Sequence, residues 1–292
     1  KQAAGLAYAP ASNGSGVKRF YIVDRAIDNN NDPRIIDGKM YEMTTPSAGG
    51  TPVPTNTPTN TPTPGPTPTP TNTPPVTDLI FANSFEPPTG LSAWTSVTND
   101  GSLSVSAAAA MHGTQGMQAV INDINSIYVR DDTPNAEPRY RARFYFDPNS
   151  IVMLNGDTHF IFRGYSGTST IAIRVQFRRS NNVYQVRAGL VGDGSTFSNT
   201  SWLTISDAPH SIELDWRAAT GPGANNGGMT FWIDGGINGD PQTPQANLTG
   251  VDNDTRRIDH ARLGAVSGVD TGTSGTYYFD AFESRRQTYI GP

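Results

Sequence analysis

Tyr140-Arg141-Ala142-Arg143-Phe144-Tyr145-Phe146 and Ile171-Ala172-Ile173-Arg174-Val175-Gln176-Phe177-Arg178 each alternate apolar with mainly polar residues at a period of two. Successive side chains of a strand point to opposite faces, so each stretch reads as a strand with one buried face. The alternation recurs in residues 184–190, in Ile212, Leu214 and Trp216, in Met229, Phe231 and Ile233, and in Tyr277, Phe279 and Ala281. Glycine-rich turns such as Gly192-Asp193-Gly194 punctuate it. Ala107 to Met111 is the one helix-friendly run, and it is too short to hold a helix alone. Residues 77–292 therefore predict two packed antiparallel sheets, an all-β sandwich.

Two further blocks precede it. Residues 51–75 comprise ten Thr, ten Pro, three Asn, one Gly and one Val. Such a run has almost nothing apolar to bury and its prolines fix φ, which favours an extended polyproline-like linker over residues 47–76. Thr57, Thr61, Thr63, Thr67 and Thr69 are candidate O-glycosylation sites of a stalk. Residues 1–46 predict an N-terminal β-hairpin segment of two or three strands, which is marginal in water without a partner.

The 1–46 block, through Gly5-Leu6-Ala7-Tyr8, Phe20-Tyr21-Ile22-Val23-Asp24 and Gly38-Lys39-Met40-Tyr41-Glu42, resembles the closing strands of a bacterial β-propeller blade. In the large block, Leu79-Ile80-Phe81-Ala82-Asn83-Ser84-Phe85-Glu86 with Leu91-Ser92-Ala93-Trp94, and Tyr277-Tyr278-Phe279-Asp280-Ala281-Phe282-Glu283, are similar to the opening and closing strands of concanavalin A-like, laminin-G-like jelly-roll domains of bacterial secreted proteins. That resemblance implies a jelly roll whose first and last strands lie side by side, bringing Glu86 near Asp280. Asn83 and Pro87-Pro88 stand where that family carries Asp and Ser-Gly.

Composition narrows the function. The formal net charge is −5, which provides no footprint for nucleic acid or anionic lipid. No apolar run approaches the length of a membrane helix, and Lys1 to Gly5 carries no signal-peptide core, so the chain reads as soluble and already processed. Absence of Cys removes disulfides, thiolate metal sites and Cys nucleophiles.

Catalytic patterns are absent or broken. The jelly-roll hydrolases carry E-x-D-x-x-E; here Glu213 and Asp215 begin it and Ala218 occupies the second Glu position. The expectation is that Glu213 and Asp215 face solvent and that the protein is not an enzyme. Calcium is the ion favoured by the Asp/Asn-rich loops. Its candidate ligands are Glu86 with Asp280, and Asp28, Asn30 and Asp32, whose spacing aims alternate oxygens inward although Pro33 and Lys39 break the EF-hand pattern. An exposed aromatic with polar neighbours suits a sugar, which makes Trp232, Tyr145, Arg141, Arg143 and Arg174 the candidate glycan or subunit face.

The leading expectation is a secreted, non-enzymatic structural protein. Its hairpin adds to a neighbour's sheet and propagates a filament or surface layer, so its main partner is itself. The alternative is a stalked carbohydrate-binding module of a cell-surface protein. Both place the chain outside the cell.

Overall fold

The computed structural model describes residues 3–10, 18–24, 39–43 and 77–292. The chain divides into two units, Lys1–Pro70 and Thr71–Pro292. In the first, β1 (Ala3–Pro10), β2 (Lys18–Asp24) and β3 (Lys39–Met43) form one antiparallel sheet in that order. Phe20 pairs with Met43 across β2 and β3, both exposed, while Tyr21 is buried. Among the described residues β2 pairs on both sides, whereas β1 and β3 each pair along one edge.

The second unit is the expected sandwich. Its strands are β4 (Leu79–Asn83), β5 (Ser96–Thr98), β6 (Leu103–Ser106), β7 (Gly116–Ile121), β8 (Ile127–Asp131), β9 (Arg139–Asp147), β10 (Thr158–Ser166), β11 (Thr170–Ser180), β12 (Val183–Val191), β13 (Phe197–Asn199), β14 (Leu203–Ile205), β15 (His210–Arg217), β16 (Gly227–Ile233), β17 (Ala246–Val251), β18 (His260–Ser267) and β19 (Gly275–Arg285). Sheet I runs β13-β12-β11-β10-β18-β8-β5 with β14 also on β12; sheet II runs β17-β16-β15-β9-β19-β7-β6 with β4 on β19. All of these pairings are antiparallel, and the chain passes repeatedly between the sheets, giving a jelly-roll-like sandwich.

The alternation places the core where the sequence expects it. Tyr140, Ala142, Phe144 and Phe146 of β9 are fully buried, as are Ile173, Val175 and Phe177 of β11. Rings from the two sheets meet between them: Phe146 lies edge-on to Phe177 at 4.9 Å and Phe144 stacks on Phe162 at 5.6 Å. Each such ring contributes roughly 1.5–3 kcal/mol of burial. Glu283 of β19 pairs with Ala82 of β4, so the first and last sandwich strands are neighbours. One expectation is corrected there. Ala281 has a positive φ of 45° and bulges, so the inward series runs Tyr277, Phe279, Phe282, Ser284 rather than through Ala281.

Candidate functional site: an arginine and aromatic face

Sheet I carries a row of arginines on its outer face. Arg130 on β8 pairs directly with Arg262 on β18, Arg262 with Arg163 on β10, and Arg163 with Arg174 on β11. Their neighbours in sequence, Val129, Leu263, Phe162 and Ile173, are in the core, which turns the guanidiniums outward. At the inter-strand spacing of about 4.8 Å the row is roughly 14 Å long. It continues through Gly189 of β12 to Asn199 of β13. A Cβ on Gly189 would stand 2.3 Å from Asn199 Oδ1 and 3.2 Å from Arg174 Nε, so the glycine leaves the space in which Arg174 Nη2 donates to that oxygen at 3.0 Å.

A second tier lies beside the row. Arg187 Nε donates to Gln176 Oε1 at 2.7 Å, and Arg178 Nε donates to Gln185 Oε1 at 2.8 Å. Both guanidiniums rest on Trp202, at 4.4 and 4.0 Å from its ring centre. Phe160 carries Arg163 at 3.9 Å, Phe197 carries Arg174 at 3.5 Å, and Arg262 lies between Tyr128 and Tyr165 at 4.8 and 4.6 Å. Stacking on rings holds a guanidinium flat and leaves its N–H edge to a ligand.

Charge on this face is left unbalanced. Among the described residues Arg163, Arg174, Arg178, Arg187 and Arg262 have no carboxylate partner; Arg130, at the end of the row, pairs with Asp132 at 2.5 Å. The neighbouring groups register the resulting potential. Burial, then Arg187 and Arg163, brings Arg174 down to about 10. Burial, then Arg178, lowers Arg187. His260, stacked on Tyr165 at 4.5 Å, is held down to about 4 by burial and then by Arg130 and Arg262.

The residues expected to form one binding face are divided between the two sheets. Arg174 belongs to sheet I; Trp232, Tyr145, Arg141 and Arg143 lie on the outer face of sheet II, and much of that face is closed. Trp232 is only 7% exposed, donates its indole N–H to Pro241 O at 2.9 Å and packs against Tyr289 at 5.6 Å. It is therefore not the exposed platform expected of it. Arg141 is buried and donates to Glu213 and Asp215, each at 2.8 Å, while Arg139 makes a bidentate pair with Asp215. Ile290 and Gly291 donate their N–H groups to Glu213, so the C-terminal residues lie over this network. Glu213 and Asp215 are thus buried and ion-paired, not facing solvent, and Ala218 packs against the core. Arg143 donates to Ala281 O, approaches Glu283 at 3.7 Å and lies over the half-buried Tyr145.

The candidate calcium ligands have other work. Glu86 accepts the Thr114 and Gln115 N–H groups, and Asp280 accepts those of Met111, His112 and Ala281. Burial raises the Asp280 carboxyl, and those donors pull it back. Both carboxylates anchor the 111–115 loop, their oxygens accepting its N–H groups. Asp193, Asp252 and Asp254 bring carboxylate oxygens within 4.8 Å of one another; Asp193 is engaged by Thr255, with Arg256 at 4.0 Å. Asp28, Asn30 and Asp32, and Thr57, Thr61, Thr63, Thr67 and Thr69, lie outside the described residues.

A Ser–His–Asp chain also occurs. Ser206 Oγ lies 2.7 Å from His210 Nε2, and His210 Nδ1 lies 2.6 Å from Asp234, beside a cavity of about 430 Å³. However, the Ser206 backbone N–H donates to the same Nε2 at 3.0 Å, and Asp234 also accepts from Ser211 N–H at 3.0 Å. The one lone pair a general base would use is already occupied, and the Asp234 side chain is 53% exposed, so the arrangement is a clasp closing the 206–210 turn.

No family model matches the sequence, and no curated protein matches it. Solved structures are similar to it at low identity. The ligand-binding domain of botulinum neurotoxin serotype D, in complex with N-acetylneuraminic acid, is 8% identical at a TM-score of 0.42; the match covers 67% of this chain and 43% of that one. The alginate lyase vAL-1 from Chlorella virus is 14% identical at 0.46, covering 66% and 93%. Domain 4 of AbnA, an extracellular arabinanase from Geobacillus stearothermophilus in complex with arabinotriose, is 13% identical at 0.44, covering 73% and 95%. This chain spans less than half the length of the neurotoxin chain it matches.

These likenesses are of fold alone. The leading expectation of a self-assembling structural protein is corrected on this count: the similarities are to a ligand-binding domain, a lyase and an arabinanase domain, and not to a filament-forming structural protein. They lend nothing to the propeller-blade resemblance of residues 1–46. Among the described residues no helix is long and apolar enough to cross a membrane.

Proposed function

We propose that this chain is a non-catalytic carbohydrate-binding module of a secreted or cell-surface protein, with residues 47–76 as its stalk. The outer face of sheet I receives the glycan. The observation that carries this reading is Trp202, a half-buried ring on an outer sheet face flanked by Arg178, Arg187, Gln176 and Gln185. Sugar rings need an aromatic surface for their C–H faces and fixed donors for their hydroxyls, and this combination supplies both. Binding without turnover is supported by Glu213 and Asp215, whose carboxylates are locked by arginines on the other sheet.

Retention of the full chain on immobilised polysaccharides tests the proposal. Trp202→Ala abolishes retention and Trp232→Phe preserves it. Retention lost with Trp232→Phe alone, or no retention on any polysaccharide, overturns it.

A further inference from the structure

The two outer faces hold most of their arginines differently, although exposed Arg217 of β15, opposite Arg139, also has no carboxylate partner among the described residues. On sheet II, Arg139, Arg141, Arg143 and Arg285 are each matched with a carboxylate, from Asp215, Glu213 or Glu283. On sheet I, the hydrogen-bonding side chains that hold Arg174, Arg178 and Arg187 are the amides of Asn199, Gln185 and Gln176. An amide oxygen orients a guanidinium as a carboxylate does, but it does not discharge it. Like charges directly opposite on neighbouring strands destabilise a sheet, yet four arginines stand in one row across four adjacent strands. Guanidiniums held side by side by amides and aromatic rings, without carboxylates, present positive charge that an anionic ligand can meet.

We infer that the glycan bound by this face is a polyanion, an acidic polysaccharide carrying a carboxylate or sulfate on successive residues, with its anionic groups engaged by Arg163, Arg174 and Arg262 and a sugar ring on Trp202. This deepens the proposed carbohydrate-binding reading and rests on it. A repeated oxyanion matches a row of guanidiniums spaced at the inter-strand distance, since each fork meets a planar or tetrahedral oxyanion with two donors. Nucleic acid is the weaker occupant. The basic area is two short tiers, the longer roughly 14 Å, which is too few cations to offset the denser phosphate charge of a duplex.

The test titrates the full chain with polygalacturonate, a sulfated galactan, the neutral glucan pullulan and duplex DNA, at 50 and 200 mM NaCl. The inference expects both acidic polysaccharides, or one of them, to bind at least about tenfold more tightly than pullulan and DNA, with affinity falling as salt rises. Which acidic polymer binds better identifies carboxylate or sulfate as the recognised group. Arg163→Gln with Arg174→Gln lowers that affinity by at least about tenfold, whereas Arg285→Gln leaves it unchanged. Because removing repulsion should not lower the melting temperature, an unaltered or raised melt confirms that the double variant is folded. Pullulan bound as tightly as the acidic polymers, and lost with Trp202→Ala, overturns the polyanion while sparing the carbohydrate-binding reading. DNA bound more tightly than every glycan, or no polymer bound, overturns both.

Discussion

Arg163 and Arg174 face each other across the β10–β11 ladder without an intervening carboxylate, and each lies on an aromatic ring. Their repulsion is a cost that the folded protein carries for its surface. Replacing either with Gln is expected to stabilise the free protein by a few tenths of a kcal/mol to about 1 kcal/mol. Added salt screens the pair and is expected to raise the melting temperature of the parent more than that of the variant. Thermal melts at two ionic strengths measure both; a variant that melts lower in low salt speaks against stored repulsion.

Sheet II behaves in the opposite way. Arg141 is the shared counter-ion of Glu213 and Asp215, both buried. Arg141→Met leaves Asp215 with Arg139 and Glu213 with only the Ile290 and Gly291 N–H groups. The expected loss is about 3–5 kcal/mol, because a buried charge stripped of its partner cannot recover its hydration. Urea unfolding at pH 7 checks it, and a loss below about 1 kcal/mol would mean the network is wetter than its burial indicates.

His159 sets an acid limit. It is fully buried beside Tyr277 and Phe177 with neither ring nitrogen hydrogen-bonded. Burial holds it down to about 4 from an ordinary 6.5, with Asp270 opposing. A depressed value means that the unfolded chain takes up the proton first. The stability contributed by neutral His159 is therefore fully present above pH 6.5 and drains away as pH falls toward 4, by about 3 kcal/mol in all. His159→Phe is expected to flatten that slope in urea midpoints taken between pH 7 and pH 5. An unchanged slope assigns the acid sensitivity to other groups.

His260 reports on occupancy of the arginine row. Burial, Arg130 and Arg262 hold it low, while Asp132 and its link to the Gly167 backbone act the other way. A bound polyanion offsets the two arginines and is expected to move the His260 titration upward, as followed by imidazole proton resonances with and without polygalacturonate. A titration that stays put places the ligand elsewhere.

Much of this fold is legible in the sequence, because period-two alternation is a local signal. Residues 140–146 and 171–178 show their buried and exposed faces without reference to the rest of the chain. The site is less legible. Arg174, Arg178 and Arg187 are recognisable as outward-facing, but that Arg163 and Arg262 line up with Arg174 depends on cross-strand register, which bulges between Phe160 and Phe162 and between Gly164 and Tyr165 alter. Trp232 does alternate outward as its sequence indicates. What closes over it is Tyr289, more than fifty residues away, and no local pattern records that contact. Trp202, in the short link between β13 and β14, carries no periodicity of its own and gains its role only from the arginines beneath it.

The most direct measurement is a map of backbone and indole N–H shifts in the full chain as polygalacturonate is added. Perturbations concentrated on β8, β18, β10, β11 and β12 and on the Trp202 indole, absent in the variant carrying Arg163→Gln and Arg174→Gln, are the predicted result. Perturbations centred on Trp232 and the C-terminal residues, or none at saturating polymer, would contradict the account.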